Sequence, residues 1–309
     1  MDIFIQQVIN GLVLGSMYAL VALGYTMVYG VLNLINFAHG EILMIGAMAG
    51  LSLLQLLQHY VPGLPGIVQL MLAIAGAVPV CVLVSILIER IAYRPLRNAP
   101  RLAPLITAIG ISILLQTFAM MIWGRNPLPF PQVLASEPLH VAGALITPTQ
   151  ILLLLLALMA MLGLSLLVQK TRLGRAMRAV SENPRVAALM GVDANRVIVF
   201  TFAIGAALAA VAGVMWAANY ASAQFAMGFT PGLKAFSAAV LGGIGNIYGA
   251  MLGGILLGLI ESLGAGYIGD LTGGILGSHY QDIFAFLVLI LVLVLRPTGL
   301  LGEKVSDRA

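Results

Sequence analysis

Charge is what this chain has least of. Only 8% of its 309 residues are charged and 61% are hydrophobic, whereas soluble globular domains carry about 25% charged residues. So little charge cannot cover a water-facing surface, and lipid must be the solvent of most of the chain. Cysteine is almost as scarce. Cys81 stands alone inside an apolar run, which excludes an intrachain disulfide and a thiolate metal cluster. No Lys or Arg precedes Arg90, so the first apolar stretch lacks the basic leader of a signal peptide and reads as a retained span. Catalytic signatures are missing as well. None of Lys170, Lys234 and Lys304 follows a glycine, so there is no GxxxxGK[ST] phosphate cradle. HExxH, GxSxG and paired CxxC motifs are absent, and His39, His59, His140 and His279 are scattered. The chain is not expected to be an enzyme, and it offers no site for a cofactor or metal of its own.

What is present is a succession of long apolar runs without period-2 alternation. An open sheet would leave edge hydrogen bonds unsatisfied in lipid, so spans must be helices or closed barrels, and the missing alternation argues against a barrel. A helix needs about 20 apolar residues to cross the hydrocarbon core. Spans are expected near 6–31, 40–58, 67–89, 102–123, 150–169, 197–218, 233–244, 247–267 and 281–295. The seventh is too short to cross unaided and the second is marginal. The expected fold is an all-α integral membrane protein, a single transmembrane domain with about eight crossings plus one re-entrant or broken segment, in two pseudo-repeated halves.

The few charges are unevenly placed. Residues 89–101 hold Arg90, Arg94, Arg97 and Arg101. Residues 170–196 hold Lys170, Arg172, Arg175, Arg178, Arg185 and Arg196, and the tail holds Arg296, Lys304 and Arg308. Only Arg125 and Lys234 lie elsewhere. Basic loops stay in the cytoplasm, which puts these three segments and the C-terminus inside and the proline-rich 124–149 segment outside. Small residues recur four apart, at Gly11/Gly15, Gly46/Gly50, Gly249/Gly253 and Gly254/Gly258. Such spacing lets helix backbones approach closely, either within one subunit or across a dimer seam.

Segment 170–196 is too polar for lipid and too patterned for a plain connector. Asn183 can cap a helix that Pro184 starts, and Gly191 can supply its left-handed end. Val186, Ala187, Leu189 and Met190 then form a small apolar face on one short helix. A helix this short is unstable alone. Either it packs under its own membrane domain or it docks on a separate cytoplasmic protein.

Polar residues at membrane depth are functional suspects by default. Asn33, Asn36, His39 and Glu41 interrupt the early apolar run, with Asn36 placed to cap the helix that follows. This cluster reads as a structural break, a pathway lining, or both. A second interruption, Gly242, Gly243, Gly245, Asn246 and Gly249, occurs late in the chain. Gly-interrupted segments in corresponding positions of two halves point to a pathway at a repeat interface. Glu261 also lies in a span and reads as a carboxyl hydrogen-bonded within the bundle near the outer surface, with a proton relay as the alternative; no partner for it is evident along the sequence. The missing intramembrane charge pair counts against an ion-coupled carrier.

Several stretches, RAVSENPRVAALMGV, GSMYALVALGYTMVYGVLNLINFAHGE, AYRPLR, TAIGISILLQ, KAFSAAVLGGIGNIYGAMLGG and RPTGLLG, together resemble the branched-chain amino acid permease family of ABC importers, the LivH-type subunits. The resemblance spans residues 5–302. It implies a permease subunit in a bacterial cytoplasmic membrane. The partners it implies are a second, related permease subunit, two cytoplasmic ATPases that bind the ATP, and an extracytoplasmic binding protein; no nucleic acid is expected. The coupling role falls on Arg178, Glu182, Asn183, Pro184, Ala187, Ala188 and Gly191, with Arg178 and Glu182 facing charges on the ATPase. The family also includes importers of urea, short amides and other amino acids, among which no residue here chooses.

Overall fold

A computed structural model describes residues 2–97, 99–100, 102–134, 137–141, 143–271, 273 and 280–302. Arg101, His279, Lys304 and Arg308 therefore lie outside the described residues. The chain is an all-α membrane protein. Among the described residues, seven helices are long and apolar enough to cross a membrane. In chain order the helices are α1 (Asp2–Leu32), α2 (His39–Tyr60), α3 (Gly66–Ile88), the single turn α4 (Arg94–Leu96), α5 (Leu102–Trp123), α6 (Pro148–Lys170), α7 (Arg172–Glu182), α8 (Pro184–Leu189), α9 (Ala194–Tyr220), α10 (Phe229–Gly242), α11 (Ile247–Leu271) and α12 (Gln281–Leu295). A π-helical turn, Glu89–Tyr93, joins α3 to α4. Strands β1 (Leu128–Pro129) and β4 (Ser222–Ala223) pair antiparallel, as do β2 (Leu139–Val141) and β3 (Ala144–Ile146).

α1 runs through the centre of the bundle, against α11, α9 and α10, and α2 packs between α9 and α3. α5, by contrast, exposes Ile106, Met121 and Ile122. Apolar exposure of this kind is expected where the solvent is lipid. Glycines set the closest approaches. A Cβ on Gly15 would lie 2.7 Å from Ile255 Cα, one on Gly11 2.8 Å from Leu259 Cα, and one on Gly46 2.7 Å from Ala210 Cα. The small-residue spacing of α1 and α11 is thus used for packing within the chain, as in the small-xxx-small mode of membrane helices.

The loops sort into two ends. At one end, Arg97 bridges the Glu89 carboxylate and Asn195 Oδ1, and α7 packs on the ends of α6 and α1. This is the basic end. At the other, Gln6 exchanges hydrogen bonds with the Leu145 backbone at 3.0 and 2.7 Å, Phe130 N donates to Ala221 O at 3.0 Å, and Gln132 donates to Ala218 O at 2.9 Å. The N-terminal part of α1 therefore sits at the end opposite the basic loops.

Segment 170–196 differs from its reading as a loop with one helix. It contains two, because Thr171 Oγ1 accepts from Gly174 N at 3.1 Å and starts α7. Gly174, Met177 and Val180 are buried, and the arginines lie on the other face.

Candidate functional site

α1 ends where Asn33 takes a left-handed conformation, φ +52°. The chain then turns back into the bundle. Asn36 Oδ1 accepts from Ala38 N at 3.1 Å and from Tyr93 OH at 2.9 Å, and His39 N donates to Asn36 O at 3.0 Å. Asn36 holds this turn rather than the helix cap, which falls on Ala38 with no side-chain bond. α2 begins deep in the bundle. His39 packs against Gly24, where any Cβ would collide with its Nε2, and edge-on to Tyr25 at 4.9 Å between centroids. Gly24 precedes the end of α1 by eight residues, about 12 Å at 1.5 Å per residue. Glu41, 1% exposed, accepts at Oε1 from Ser112 Oγ at 2.9 Å and Gln116 Nε2 at 2.7 Å. Its Oε2 is buried without a hydrogen-bond partner among the described residues.

The counterpart of this break is not the glycine cluster at 242–246. Those residues form a tight turn at the basic end, with Gly243 at φ +107° and Gly245 at φ +97°. There Asn246 Oδ1 caps Gly249 N at 3.1 Å and its Nδ2 donates to Leu301 O at 2.9 Å. Leu300 N and Leu301 N donate to Leu241 O and Gly242 O at 3.0 and 2.9 Å. Gly242, Gly243, Gly245 and Asn246 thus hold the 299–302 segment and are not gathered with Asn36, His39 and Glu41.

The true counterpart is residues 221–228. α9 ends at Ala221, φ +54°, which with Asn33 makes up the non-glycine positive-φ residues among those described. Met227 N donates to Gln224 O at 3.2 Å, as His39 N does to Asn36 O. α10 then starts inside the bundle, with Gly228 against Gly40: a Cβ on Gly40 would lie 2.6 Å from Gly228 O. The two segments also align in sequence, Asn36-Phe37-Ala38-His39-Gly40 with Gln224-Phe225-Ala226-Met227-Gly228. A long helix, a left-handed residue and a turn repeat 188 positions apart, and the two helices that follow, α2 of 22 residues and α10 of 14, meet N-terminus to N-terminus. The FA-x-G repeat was the available signal, and reading glycine density alone overlooked it. In many transporter folds, helices that start inside the membrane bundle lie at the repeat interface.

Beside this junction lies a cavity of about 740 Å³ between α2, α5 and α10, lined among others by Tyr25, Gly40, Ser112, Gln116, Phe229 and Thr230. Its remaining wall is largely apolar, with Phe37, Ile109, Ile113 and Leu233.

Glu261 is hydrogen-bonded within the bundle as its position suggests, and the structure supplies the charged partner that the sequence did not reveal. Lys234 Nζ lies 2.6 Å from Glu261 Oε1 and 2.6 Å from Asp282 Oδ1. Tyr18 OH donates to Glu261 Oε2 at 3.0 Å, and the ammonium stands 5.9 Å from the Tyr18 ring centroid. The partners come from α10, α11, α12 and α1, so their separation along the chain hid them.

On α8, Asn183 Oδ1 accepts from Arg185 N and Val186 N at 3.0 and 3.1 Å. Gly191, φ +83°, ends the helix in a Schellman motif: Gly191 N donates to Ala188 O and Val192 N to Ala187 O, each at 3.0 Å. Of the apolar face only Ala187 is buried. Leu189 is 87% exposed and Met190 80%. Glu182 is also exposed. Arg178 is exposed but committed, since its guanidinium donates to Val168 O of α6, a tie that pins α7 to the membrane domain.

Residues 7–293 match the protein family described as branched-chain amino acid transport system / permease component. The chain belongs to this family. It is 46% identical to the high-affinity branched-chain amino acid transport system permease protein BraD of Pseudomonas aeruginosa, covering 99% of this chain and 98% of that one. It is 43% identical to the corresponding LivH of Escherichia coli over 99% and 97%. The ribose import permease protein RbsC of the same organism is 30% identical over 41% of this chain and 40% of its own length. No solved structure matches. As a member of this permease family the chain is a multi-pass membrane transport component, with seven long apolar helices among the described residues.

Proposed function

We propose that this chain is the membrane-spanning permease subunit of an ATP-driven importer of branched-chain amino acids in a bacterial cytoplasmic membrane, with its basic end and C-terminus in the cytoplasm. The observation that carries the coupling half of this reading is α8. It is a capped, geometrically defined helix at the basic end whose Leu189 and Met190 cover nothing in this chain. A helix of six residues does not expose two large apolar side chains to water without a partner. An ATPase subunit, which would hold the ATP and hydrolyse it, fits that surface. Asn183, Pro184, Ala187, Ala188 and Gly191 shape the helix, Glu182 offers a charge at its rim, and Arg178 anchors its base. The substrate class is supported by the relatives, named as branched-chain amino acid permeases. A second, related permease, a second ATPase and an extracytoplasmic binding protein complete the assembly.

A second reading, an ion-coupled carrier, draws on the buried Lys234–Glu261 pair. Lys234, Tyr18 and Asp282 already hold these groups in a closed network, which favours a structural role. Uptake of radiolabelled leucine into proteoliposomes carrying the four membrane-associated subunits and the binding protein tests both. Uptake that requires internal ATP and disappears without the ATPases supports the importer. Uptake of urea or a short amide in place of leucine changes the substrate, and uptake by this chain alone on an ion gradient overturns the proposal.

A further inference from the structure

At the basic end, a buried ion pair sits on a backbone irregularity. α3 does not stop in a regular turn: Glu89–Tyr93 is π-helical, closed by the Arg94 N–H donating to Glu89 O. Single π turns in helices are frequent at functional sites. Glu89 is fully buried, and its Oε1 accepts from the Arg97 guanidinium, with Arg94 Nε further off at 3.8 Å. Glu89 Oε2 and Arg97 Nε are buried without hydrogen-bond partners among the described residues. A buried ion pair is often no more stabilising than apolar residues of the same volume, and a half-satisfied one is less so. Stability does not account for this pair.

What the pair does is join elements. Arg97 Nη1 donates to Asn195 Oδ1 at 2.6 Å. Asn195 is the second residue of α9 and follows closely on the Gly191 turn that ends α8, which itself packs on α9. A guanidinium is a rigid planar fork, so Arg97 fixes Asn195 against Glu89. At the other end of the same π turn, Tyr93 donates its buried hydroxyl to Asn36 Oδ1 at 2.9 Å, the side chain that holds the turn into α2. The Tyr93 ring rests on Phe202 of α9, 5.6 Å between centroids. Ser85, one turn before Glu89, donates to Phe202 O at 3.2 Å. One π turn thus ties the corner between α8 and α9 to the turn at which α1 reverses into α2. Beyond that turn, Gly40 meets Gly228 of the other repeat.

We propose that Glu89, Tyr93 and Arg97 are positioning residues that brace the α8–α9 corner against the α1–α2 turn, so that displacement of α8 by its ATPase displaces the α2–α10 junction. The proposal rests on α8 as the ATPase contact and adds how a movement there reaches the membrane interior. Its two ends, at Asn195 and Asn36, are one hydrogen bond each, and either can be removed without stranding the Glu89 charge.

The test uses the complete importer in proteoliposomes and measures leucine taken up per ATP hydrolysed. Asn195→Ala removes the acceptor for Arg97. Tyr93→Phe keeps the ring on Phe202 and removes only the hydroxyl. In each variant the ATPases are expected to co-purify as in the wild type and the ratio to fall about fivefold, within the range by which substitutions between two coupled sites alter their coupling. The double variant is expected to do no worse than the poorer single one, since both cut the same connection. A merely structural role lowers uptake and hydrolysis together, through loss of folded complex, and leaves the ratio where it was. An unchanged ratio in either single variant, or effects that multiply in the double variant, overturns the proposal. Leu189→Ser/Met190→Ser separates this failure from that of the coupling reading. Loss of the ATPase there, with unchanged ratios in the Asn195 and Tyr93 variants, overturns the brace alone, whereas an ATPase retained there overturns α8 as the contact and the brace with it.

Discussion

Gly40 and Gly228 back onto each other where α2 and α10 begin, each occupying the space a Cβ of the other would need. This reciprocity marks an internal repeat: α1, its turn and α2 on one side, α9, its turn and α10 on the other, with left-handed Asn33 and Ala221 in equivalent places. α1 and α9 start from opposite ends of the bundle, so the two units are inverted, as in many transporters that keep their site at the repeat interface.

A methyl group at this contact should therefore be costly. Gly40→Ala would place Cβ 2.6 Å from Gly228 O and 2.9 Å from Gly232 Cα, backbone atoms that cannot rotate away. Overpacking of this kind costs about 1–3 kcal/mol. Thermal unfolding of the detergent-solubilised protein should show it as a lowered midpoint. Gly163→Ala, in the interior of α6 with nothing within 4 Å of the added carbon, should not lower the midpoint, since Ala is the better helix former.

The Lys234–Glu261 pair should behave as a coupled unit. Lys234→Met strands a buried carboxylate and is expected to cost about 3–5 kcal/mol. Removing Glu261 as well, in Lys234→Met/Glu261→Met, should recover much of that loss. A double-mutant cycle on unfolding midpoints measures the coupling, and strictly additive effects would show that the two groups do not interact.

Gly191→Val should separate folding from coupling. No atom lies within 4 Å of a Cβ there, so the cost is backbone strain at φ +83°, about 1–2 kcal/mol for a left-handed residue with a side chain, and confined to the end of α8. The membrane bundle should assemble normally while transport-coupled ATP hydrolysis falls. Unchanged coupling in this variant would count against α8 as the contact.

Leu189→Ser and Met190→Ser address the same contact from its surface. Both side chains are almost fully exposed, so neither substitution should change the stability of the isolated chain. Co-purification of the ATPase should weaken by at least tenfold in the double variant, since two exposed apolar anchors are lost from a small interface. Retention of the ATPase at wild-type level would move the docking surface elsewhere.

Local physics was legible in the residues. Apolar run length determines which segments suit lipid, so α5 and α12 begin and end where the runs do, and the other spans agree to within a few residues. The start and stop of α8 were legible for the same reason: Asn183, Pro184 and Gly191 act on their immediate neighbours through backbone hydrogen bonds and φ. The charge pattern likewise gathered the arginines of the described loops at one end. α7 escaped notice because its apolar face is only three residues deep and is completed by the ends of α6 and α1. The pairing of Lys234 with Glu261 and Asp282, and of Gly40 with Gly228, was decided by which helices pack side by side. No local preference encodes that; close glycine–backbone approaches between helices distant in the chain do. The repeat of Asn36–Gly40 at Gln224–Gly228 was written in the residues throughout, yet three identities in five positions, recurring once, carry little weight until the fold brings the two copies into contact.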